Sequence, residues 1–214
     1  MVNQLEADAG PLTLRQISAA LTALIPNTVP SKEATNKAAV SMILRQGDSG
    51  LETLFIQRAE HPHDPWSGHM AFPGGRKEPL DVSLEAAAIR ETKEEVGIRL
   101  HSGMQLGRLH DIEGGRLMAH QLAVSAFVFY HPGSPVPAPN SYEVANTVWV
   151  PLDFLSHPAN VRPYVFDKDP LRREFPAFHY ENYVVWGLTY RIISNFVRAL
   201  GIELPGEPIV TNVE

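Results

Sequence analysis

Three glutamates gathered on one short helical segment constrain this chain more than any other feature. Residues 84–96 predict a helix, because Ser83 is suited to cap its start, alanines fill its first turns and a glycine follows its end. Glu91 and Glu95 are four residues apart and share a face, with Glu94 between them. Like charges at this spacing destabilise an isolated helix by roughly 0.2–0.5 kcal/mol per pair, so the grouping needs a reason.

Two interpretations of these glutamates are open. Arg90 and Lys93 are interleaved with them, which is typical of a solvated, charge-balanced surface. Alternatively, carboxylates on successive turns suit a hard cation such as Mg²⁺ or Mn²⁺, which prefers oxygen ligands. The segment Phe-Pro-Gly-Gly at 72–75 favours the cation site. Adjacent glycines let the backbone approach a ligand and direct N–H groups towards phosphate.

The remaining pattern predicts an α+β fold, in which a mixed sheet is flanked by helices. Strands and helices alternate irregularly, which disfavours a regular series of strand–helix–strand units. We expect helices at 12–24, 151–155 and 186–200, a hairpin of strands 38–46 and 51–58, further strands at 104–111, 117–130 and 147–150, and an extended aromatic segment at 174–186.

Composition narrows the class of protein. The chain has 214 residues, enough for one ample core, and a net charge of -6 that argues against a general nucleic-acid binder. The absence of cysteine excludes a disulfide framework, a thiolate metal site and a cysteine nucleophile. We find no signal-peptide pattern and no apolar stretch near the ~20 residues of a membrane span. A cytoplasmic protein with no membrane or nucleic-acid partner is expected.

The region 74–98 resembles the sequence box of Nudix hydrolases, Gly-x5-Glu-x7-Arg-Glu-U-x-Glu-Glu-x-Gly-U, where U is a bulky apolar residue. Its second half is matched by Arg90, Glu91, Glu94, Glu95, Gly97 and Ile98. Within that half, Thr92 stands at the first U. The first half departs from the box, because Gly75 is one residue too early and Val82 takes the position of the first box glutamate. The combination remains specific to the family.

The flanking residues are similar to the coenzyme A pyrophosphatase branch of that family. Arg58 ends a predicted strand as in the branch, residues 68–75 supply Gly-x3-Phe-Pro-Gly-Gly, and Asp81 follows. Asp81 or Glu85 is expected to take over part of the role of the missing box glutamate. The charge is reversed at one position of the branch, because Asp64 stands where the loop of the branch has its second arginine.

The resemblance covers roughly residues 36–200 and implies the Nudix fold, an α/β/α sandwich. It divides the chain into a leader helix and loop packed on the core (1–35), the hydrolase domain (36–200) and a tail (201–214). The apolar face of the leader helix fits either core cover or a dimer contact. A homodimer is therefore one of the open alternatives.

The resemblance implies a metal-dependent pyrophosphohydrolase that uses Mg²⁺ or Mn²⁺. Its substrate would be a small-molecule nucleoside diphosphate linked to another group, and the branch favours coenzyme A or an acyl-coenzyme A. Dinucleotides, nucleotide sugars and oxidised nucleotides stay open as alternative substrates. A sensor that binds a nucleotide without cleaving it is the alternative function, although a degenerate module would be expected to lose some of the glutamates.

The same resemblance implies roles for the residues of the box. Glu91 and Glu95 are the expected metal ligands, and Glu94 is expected to be a third ligand or to orient the attacking water. Arg90 is expected to pair with a carboxylate of the site. The remaining expected substrate contacts are Arg58, Gly74, Gly75 and Arg76.

Three carboxylates outside the box compete with Glu94 for the role of general base. Glu143 is preferred as base or extra ligand, because it precedes a predicted strand and a downstream loop carboxylate is one recurring solution in the family. Asp111 and Glu113 are the others. A loop glutamate that pairs with a basic residue is the structural alternative for Glu143.

Several rings lie in the loop that precedes the box. His61, His63 and His69 lack a regular ligand spacing and are expected to be ordinary loop residues, with contact to a substrate phosphate as the alternative for His63 or His69. Trp66 fits either packing of this loop or stacking on a base.

Overall fold

The computed structural model describes residues 10–29, 36–62, 64, 66–114, 122–166, 173–206 and 209–210. The helices in these residues are α1 (Leu14–Ala23), α2 (Leu84–Val96), α3 (Leu152–Ser156) and α4 (Gly187–Ala199). The strands are β1 (Asn36–Gln46), β2 (Leu51–Arg58), β3 (Met70–Ala71), β4 (Gly74–Arg76), β5 (Gln105–Arg108), β6 (Ile112–Glu113), β7 (Leu122–Tyr130), β8 (Val144–Pro151), β9 (Val161–Phe166), β10 (Arg173–Tyr180), β11 (Tyr183–Trp186) and β12 (Ile209–Val210).

A mixed sheet forms the centre of the protein. Its main path runs β3-β2-β1-β7-β5, and β4, β6 and β8 pair with β1, β7 and β2 respectively. β1 runs antiparallel to β2 but parallel to β7. Because a parallel pair needs a long crossover connection, the chain between β1 and β7 has room for α2, which packs against β1 and β4.

Helices cover both faces of this sheet, which confirms the predicted α/β/α sandwich. Alternate residues of β1 point to opposite faces. Ala39 and Ile43 belong to the buried cluster under α2, whereas Met42 and Leu44 belong to the cluster that includes residues of α1 and α4. Within the described residues, no helix combines the length and apolar character needed to cross a membrane.

A second, smaller sheet joins β9, β10, β11 and β12 and leads directly into α4. It is tied to the main sheet at β3, where the buried hydroxyl of Thr189 donates to the carbonyl oxygen of Met70 over 3.0 Å. The expected extended segment at 174–186 is thus two antiparallel strands, paired from Ala177–Trp186 to Tyr180–Tyr183.

The predicted elements with strong local signals are confirmed, including α2, the β1–β2 hairpin and α4. The strand expected at 104–111 is wrong in its second half, because β5 has a register shift between Gln105 and Gly107 and ends at Arg108. β8 begins at Val144 instead of 147. The first residues of the strand expected at 117–130 lie outside the described residues, and β7 occupies 122–130.

The leader helix α1 begins at a capping box formed by Thr13 and Gln16. It buries Ile17 and Leu21 completely or nearly so, and Leu21 lies so close to Gly107 that a side chain there would collide with it. The chain after α1 is held at Val29, whose N–H donates to a carboxylate oxygen of Asp111 over 2.9 Å.

Candidate active site

Helix α2 carries the predicted site and is fixed at both ends. Ser83 caps its start by accepting a hydrogen bond from the N–H of Ala86 over 3.0 Å. Gly97 ends it in the left-handed conformation, with φ of 70°, which glycine adopts without strain. On the inner face, Thr92 replaces the apolar residue of the box, and its buried hydroxyl is hydrogen-bonded to Ala88 O and Ser41 Oγ at 2.7 and 2.8 Å.

The two glycines of the Phe-Pro-Gly-Gly segment bring backbone close to this helix. Gly74 has φ of 154°, and a side chain there would collide with the backbone of Ala39 and Val40. Its N–H donates to the Glu95 carboxylate over 2.8 Å. A side chain at Gly75 would collide with the carboxylate of Glu91. Gly74 therefore needs glycine, whereas a side chain at Gly75 would displace the Glu91 carboxylate. The predicted site residues Gly74, Gly75, Glu91 and Glu95 lie together.

Glu95 is a buried carboxylate with an unusual charge environment. Only 5% of the residue is exposed. Burial, reinforced by the negative charges of Glu91 and Glu143, raises the pKa of Glu95 to about 8, although the Gly74 N–H and the charge of Arg58 act in the opposite direction. The anionic form of such a group is destabilised unless a positive charge comes close.

Glu91 shares this environment to a lesser degree. Burial is the main cause that raises its pKa, and the charges of Glu94 and Glu143 add to it. Arg90 opposes the shift, since its Nη2 lies 3.0 Å from a Glu91 oxygen. Glu91 and Glu95 therefore form a pair of like charges on one side of α2, as their spacing predicts.

Arg90 contacts several carboxylates at the exposed edge of the site. Its Nε and Nη2 donate to the two oxygens of Asp81 over 3.1 and 3.0 Å, and its Nη1 donates to Glu94 over 2.8 Å. The hydrogen bond to Asp81 is the main cause that raises the pKa of Arg90, and the same contact lowers the pKa of Asp81. The main-chain oxygen of Arg76 accepts a further bond from Arg90 over 3.3 Å.

Of the two carboxylates expected to compensate for the missing box glutamate, Asp81 is the one that contacts Arg90. Asp81 is 8% exposed and also accepts from the N–H of Glu78 over 2.8 Å. A buried oxygen of Glu85 has no hydrogen-bond partner among the described residues. Val82, at the box position itself, is 93% exposed and contributes no group to the site.

Glu143 reaches the site because its loop is fastened to the end of α2. Within this loop, the N–H groups of Ala138 and Asn140 donate to the carbonyl oxygens of Val96 and Glu95, each over 2.8 Å. The carbonyl of Glu143 accepts from the N–H of Ala59 over 2.9 Å. The result is a cluster of three carboxylates, Glu91, Glu95 and Glu143, in which each pKa shift named above includes the charge of Glu143.

Two candidate bases lie on the other side of the main sheet, and the carboxylate of one of them, Asp111, is engaged by other groups. Asp111 accepts hydrogen bonds from Arg108, Ser125 and Val29 over 2.6, 2.7 and 2.9 Å. The carbonyl of Glu113, on the neighbouring strand β6, accepts from Arg191 over 2.9 Å. Asp111 and Glu113 flank Ile112 of β6. In the main sheet, Arg76 pairs with Ala38, Ala38 with Val124, and Val124 with Ile112, so β6 lies three strands away from β4.

The predicted substrate contact Arg58 has a partner that the sequence analysis did not identify. Its Nε and Nη2 both donate to one oxygen of Asp64, over 3.0 and 2.5 Å. Arg76, the other predicted cationic contact, is exposed at the end of β4. The sequence signal for the Arg58–Asp64 pair was the negative charge of Asp64, six residues after Arg58. The turn that follows β2 brings the two side chains together.

Rings from the loop and from the second sheet pack together beside this ion pair. We call this group the ring cluster; it consists of Trp66, His69, Tyr164, Phe166, Phe175 and Trp186. Trp186 is at its centre, with ring centroids 4.8–6.5 Å from the other five. His61 instead lies 6.5 Å from Tyr142, and His63 lies outside the described residues.

The carboxylates fit a divalent cation in their chemistry. They offer oxygen atoms alone, they repel one another, and one of them is buried with a raised pKa. In the side-chain arrangement of the described residues, no three acidic, histidine or cysteine groups converge closely enough to hold an ion. Arg90 holds Glu91 and Glu94 at the edge of the cluster. A bound cation would therefore replace Arg90 as the positively charged partner of these two glutamates.

Comparison with known proteins identifies a matching domain. The sequence profile of the NUDIX domain matches residues 35–172. The Nudix hydrolase NudL of Yersinia pestis, itself uncharacterized, is 28% identical over 169 residues, which cover 79% of this chain and 82% of that protein. An uncharacterized protein of Schizosaccharomyces pombe is 36% identical over 130 residues, or 58% of this chain, and the match spans only 40% of its length.

Solved structures agree on the fold. A MutT/nudix family protein from Enterococcus faecalis has a TM-score of 0.56 at 16% identity, covering 89% of this chain and 70% of that one. A NUDIX hydrolase from Alicyclobacillus acidocaldarius has a TM-score of 0.54, also at 16% identity, covering 80% and 98%. At these identities the likeness extends to the arrangement of strands and helices alone.

Proposed function

This chain belongs to the Nudix family and is a hydrolase of diphosphate bonds in nucleoside diphosphate derivatives, and we propose that its substrate is coenzyme A or an acyl-coenzyme A. Support for this substrate comes from the residues that flank the box, above all Arg58 and the segment 68–75, which resemble the coenzyme A pyrophosphatase branch. Dinucleotides, nucleotide sugars and oxidised nucleotides are the alternative substrates of the same chemistry.

One observation carries the proposed chemistry. Glu95 is buried, the negative charges of Glu91 and Glu143 act on it, and the Gly74 N–H donates to its carboxylate. A diphosphate brings negative charge, so it would be repelled from this cluster without cations. The same carboxylates become an attractive site for it once Mg²⁺ or Mn²⁺ balances them.

We assign the metal ligands to Glu91 and Glu95, with Glu94 as a third ligand. A divalent ion held there would neutralise charge on the phosphoryl oxygens and lower the pKa of a bound water. Arg90 keeps Glu91 and Glu94 within reach of each other through its contacts of 3.0 and 2.8 Å. Asp81 fixes the orientation of Arg90 from the opposite side.

We assign the general base to Glu143, with Glu94 as the rival. Glu143 has an exposed side chain, and its main chain is held at both neighbours of the site, at Ala59 and, through Asn140, at Glu95. A base in this position would take the proton of a water that attacks phosphorus. The diphosphate would lie beside Gly74 and Gly75 at the start of β4.

The test is a substrate panel with the purified chain in the presence of Mn²⁺ or Mg²⁺. The panel contains coenzyme A, acetyl-coenzyme A, a dinucleotide, a nucleotide sugar and an oxidised nucleoside triphosphate, with products identified by mass spectrometry. We expect coenzyme A to give 4′-phosphopantetheine and adenosine 3′,5′-bisphosphate, and a chelator to stop the reaction. Cleavage of a dinucleotide with coenzyme A and its thioesters untouched would sink the coenzyme A assignment.

We also propose the division of the chain into a leader (1–35), a hydrolase domain (36–200) and a tail (201–214). Its support is that α1 packs on the core through two side chains of its inner face, Ile17 and Leu21. Limited proteolysis should therefore leave the leader attached to the domain.

A further inference from the structure

The ion pair between Arg58 and Asp64 stands at the edge of the site and has a definite geometry. Both donor atoms of Arg58 contact the same oxygen of Asp64, and the other oxygen accepts from the N–H of Trp66 over 3.0 Å. Burial raises the pKa of Asp64, but the bonds from Arg58 and Trp66 outweigh it, so the pKa lies below its usual range. Asp64 is therefore a stable anion.

This pair is close to the reactive carboxylates. The positive charge of Arg58 acts on Glu95. The next residue, Ala59, donates its N–H to the carbonyl of Glu143, and the N–H of Arg58 donates to the carbonyl of His69 over 3.0 Å. Arg58 and its partner therefore border the site beside Glu95 and Glu143.

The loop that precedes Gly74 and Gly75 offers little positive charge. Residues 58–69 contain one arginine and two acidic residues, Glu60 and Asp64. The arginine is already neutralised by Asp64. Beyond the pair lies the ring cluster, whose members Trp66 and His69 flank it with centroids 5.5 Å apart. The surroundings suit an uncharged group with a flat or apolar surface.

We propose that Asp64 is a specificity-determining residue: by occupying Arg58, it makes this side of the site select nucleoside diphosphate derivatives that carry no further phosphate. A ribose phosphate carries a charge of about −1.5 to −2 near neutral pH. Beside Asp64 it would meet like charge and an arginine that is already paired, which is discrimination by a repulsive element. This inference rests on the proposed function and refines it, since it favours dephospho-coenzyme A over coenzyme A.

A structural role is the competing explanation, because Asp64 also shapes the loop. Asp64→Asn separates the two roles. The amide oxygen still accepts from Arg58 or from the Trp66 N–H, but the negative charge is gone. Glu60→Gln is the matched control, since Glu60 is an exposed carboxylate of the same loop and loses the same charge.

The kinetic test compares coenzyme A with dephospho-coenzyme A, which differ by one phosphate. We expect the unaltered protein to have the higher kcat/KM for dephospho-coenzyme A. Asp64→Asn should improve kcat/KM for coenzyme A about tenfold, through KM and with an increased dependence on salt. Its kcat/KM for dephospho-coenzyme A should stay within about twofold, and Glu60→Gln should change the ratio by less than about twofold.

A binding test makes the inference independent of turnover. Calorimetry measures the affinity of the protein for adenosine 5′-monophosphate and adenosine 3′,5′-bisphosphate. A preference for the monophosphate that Asp64→Asn abolishes supports the inference even if neither coenzyme is cleaved, in which case the proposed substrate alone fails. An unchanged ratio in both assays, with Asp64→Asn as stable as the unaltered protein, would overturn the role of Asp64 while cleavage of coenzyme A would still support the proposed function.

Discussion

Glu95 and Asp111 are both carboxylates withdrawn from solvent, and the protein surrounds them in opposite ways. Asp111 accepts hydrogen bonds from an arginine, a serine and a backbone N–H, so its charge is balanced locally. Glu95 accepts one hydrogen bond among the described residues, from Gly74, and faces the charges of Glu91 and Glu143.

The difference separates two uses of a buried charge. Asp111 connects the chain after α1 to β7 through a network in which each oxygen has a donor, and this is how proteins stabilise a buried ion. The environment of Glu95 destabilises its charged form, so this charge does not stabilise the fold. An incompletely balanced carboxylate is instead what a site needs if an external cation is to complete it.

Of the substitutions in the candidate active site, Glu95→Gln is expected to lower kcat the most. Removal of this charge should lower kcat by about 10²–10³-fold, the range for loss of one preorganised electrostatic group in an active site. Circular dichroism and thermal unfolding should show an intact fold, and calorimetry should show weaker Mn²⁺ binding. If the variant keeps most of its activity, Glu95 is no more reactive than Asp111 and the contrast between them disappears.

Glu143→Gln tests whether the third carboxylate of the cluster is base or ligand. As a general base it would contribute about 10²-fold to kcat, with Mn²⁺ affinity unchanged. As a ligand its loss would weaken Mn²⁺ binding as well, so titration of the metal distinguishes the two roles. Glu113→Gln is the control, because that exposed carboxylate lies on β6. Equal activity of both variants would remove Glu143 from the site.

Asp111→Ala tests the structural side of the comparison. The change removes the carboxylate that accepts from Arg108, Ser125 and Val29, so the free energy of unfolding should fall by about 2–3 kcal/mol in urea denaturation. Activity per folded molecule should stay within about twofold below the melting temperature, as for other structural positions. A large loss of kcat in well-folded protein would contradict the division between the two carboxylates.

The pH dependence of stability should reveal the imbalance at Glu95 in the presence of a chelator. Its pKa rises from 4.5 to about 8 on folding, so the folded state binds the proton more tightly than the unfolded state. Stability should therefore fall as the pH rises from 4.5 towards 8, by an amount on the order of 2 kcal/mol near pH 7. Glu95→Gln should flatten this slope. A slope that is the same in both proteins would count against the raised pKa.

The parts of the fold that follow from local signals could be predicted from the sequence. Helix α2 has the predicted bounds because its cap, its alanines and its terminal glycine all lie within or beside it. The placement of Glu91 and Glu95 on one face followed from spacing alone. No strand was predicted at 161–166, where β9 pairs Pro163 with Pro176 of β10, because proline disfavours strands.

The site could be predicted only as far as its residues are close in sequence. That Glu143 approaches Glu95 depends on hydrogen bonds from Ala138 and Asn140 to the end of α2, more than forty residues earlier. The early end of β5 has a similar origin: the chain after Arg108 turns away to bind the leader, where the N–H of Asp111 donates to Asn27. Tertiary contacts of this kind leave no periodic trace in the sequence.

The loop that fastens Glu143 to α2 also offers a place for engineering. Its attachment points lie in its second half, at Ala138 and Asn140, whereas Pro132, Gly133 and Ser134 are exposed. Exposed loop tips tolerate insertions well, because added residues extend into solvent. An affinity tag or a fluorescent label inserted at Gly133 would therefore lie on the same loop as the proposed base without shifting it, and a label there would report on substrate binding from ten residues away.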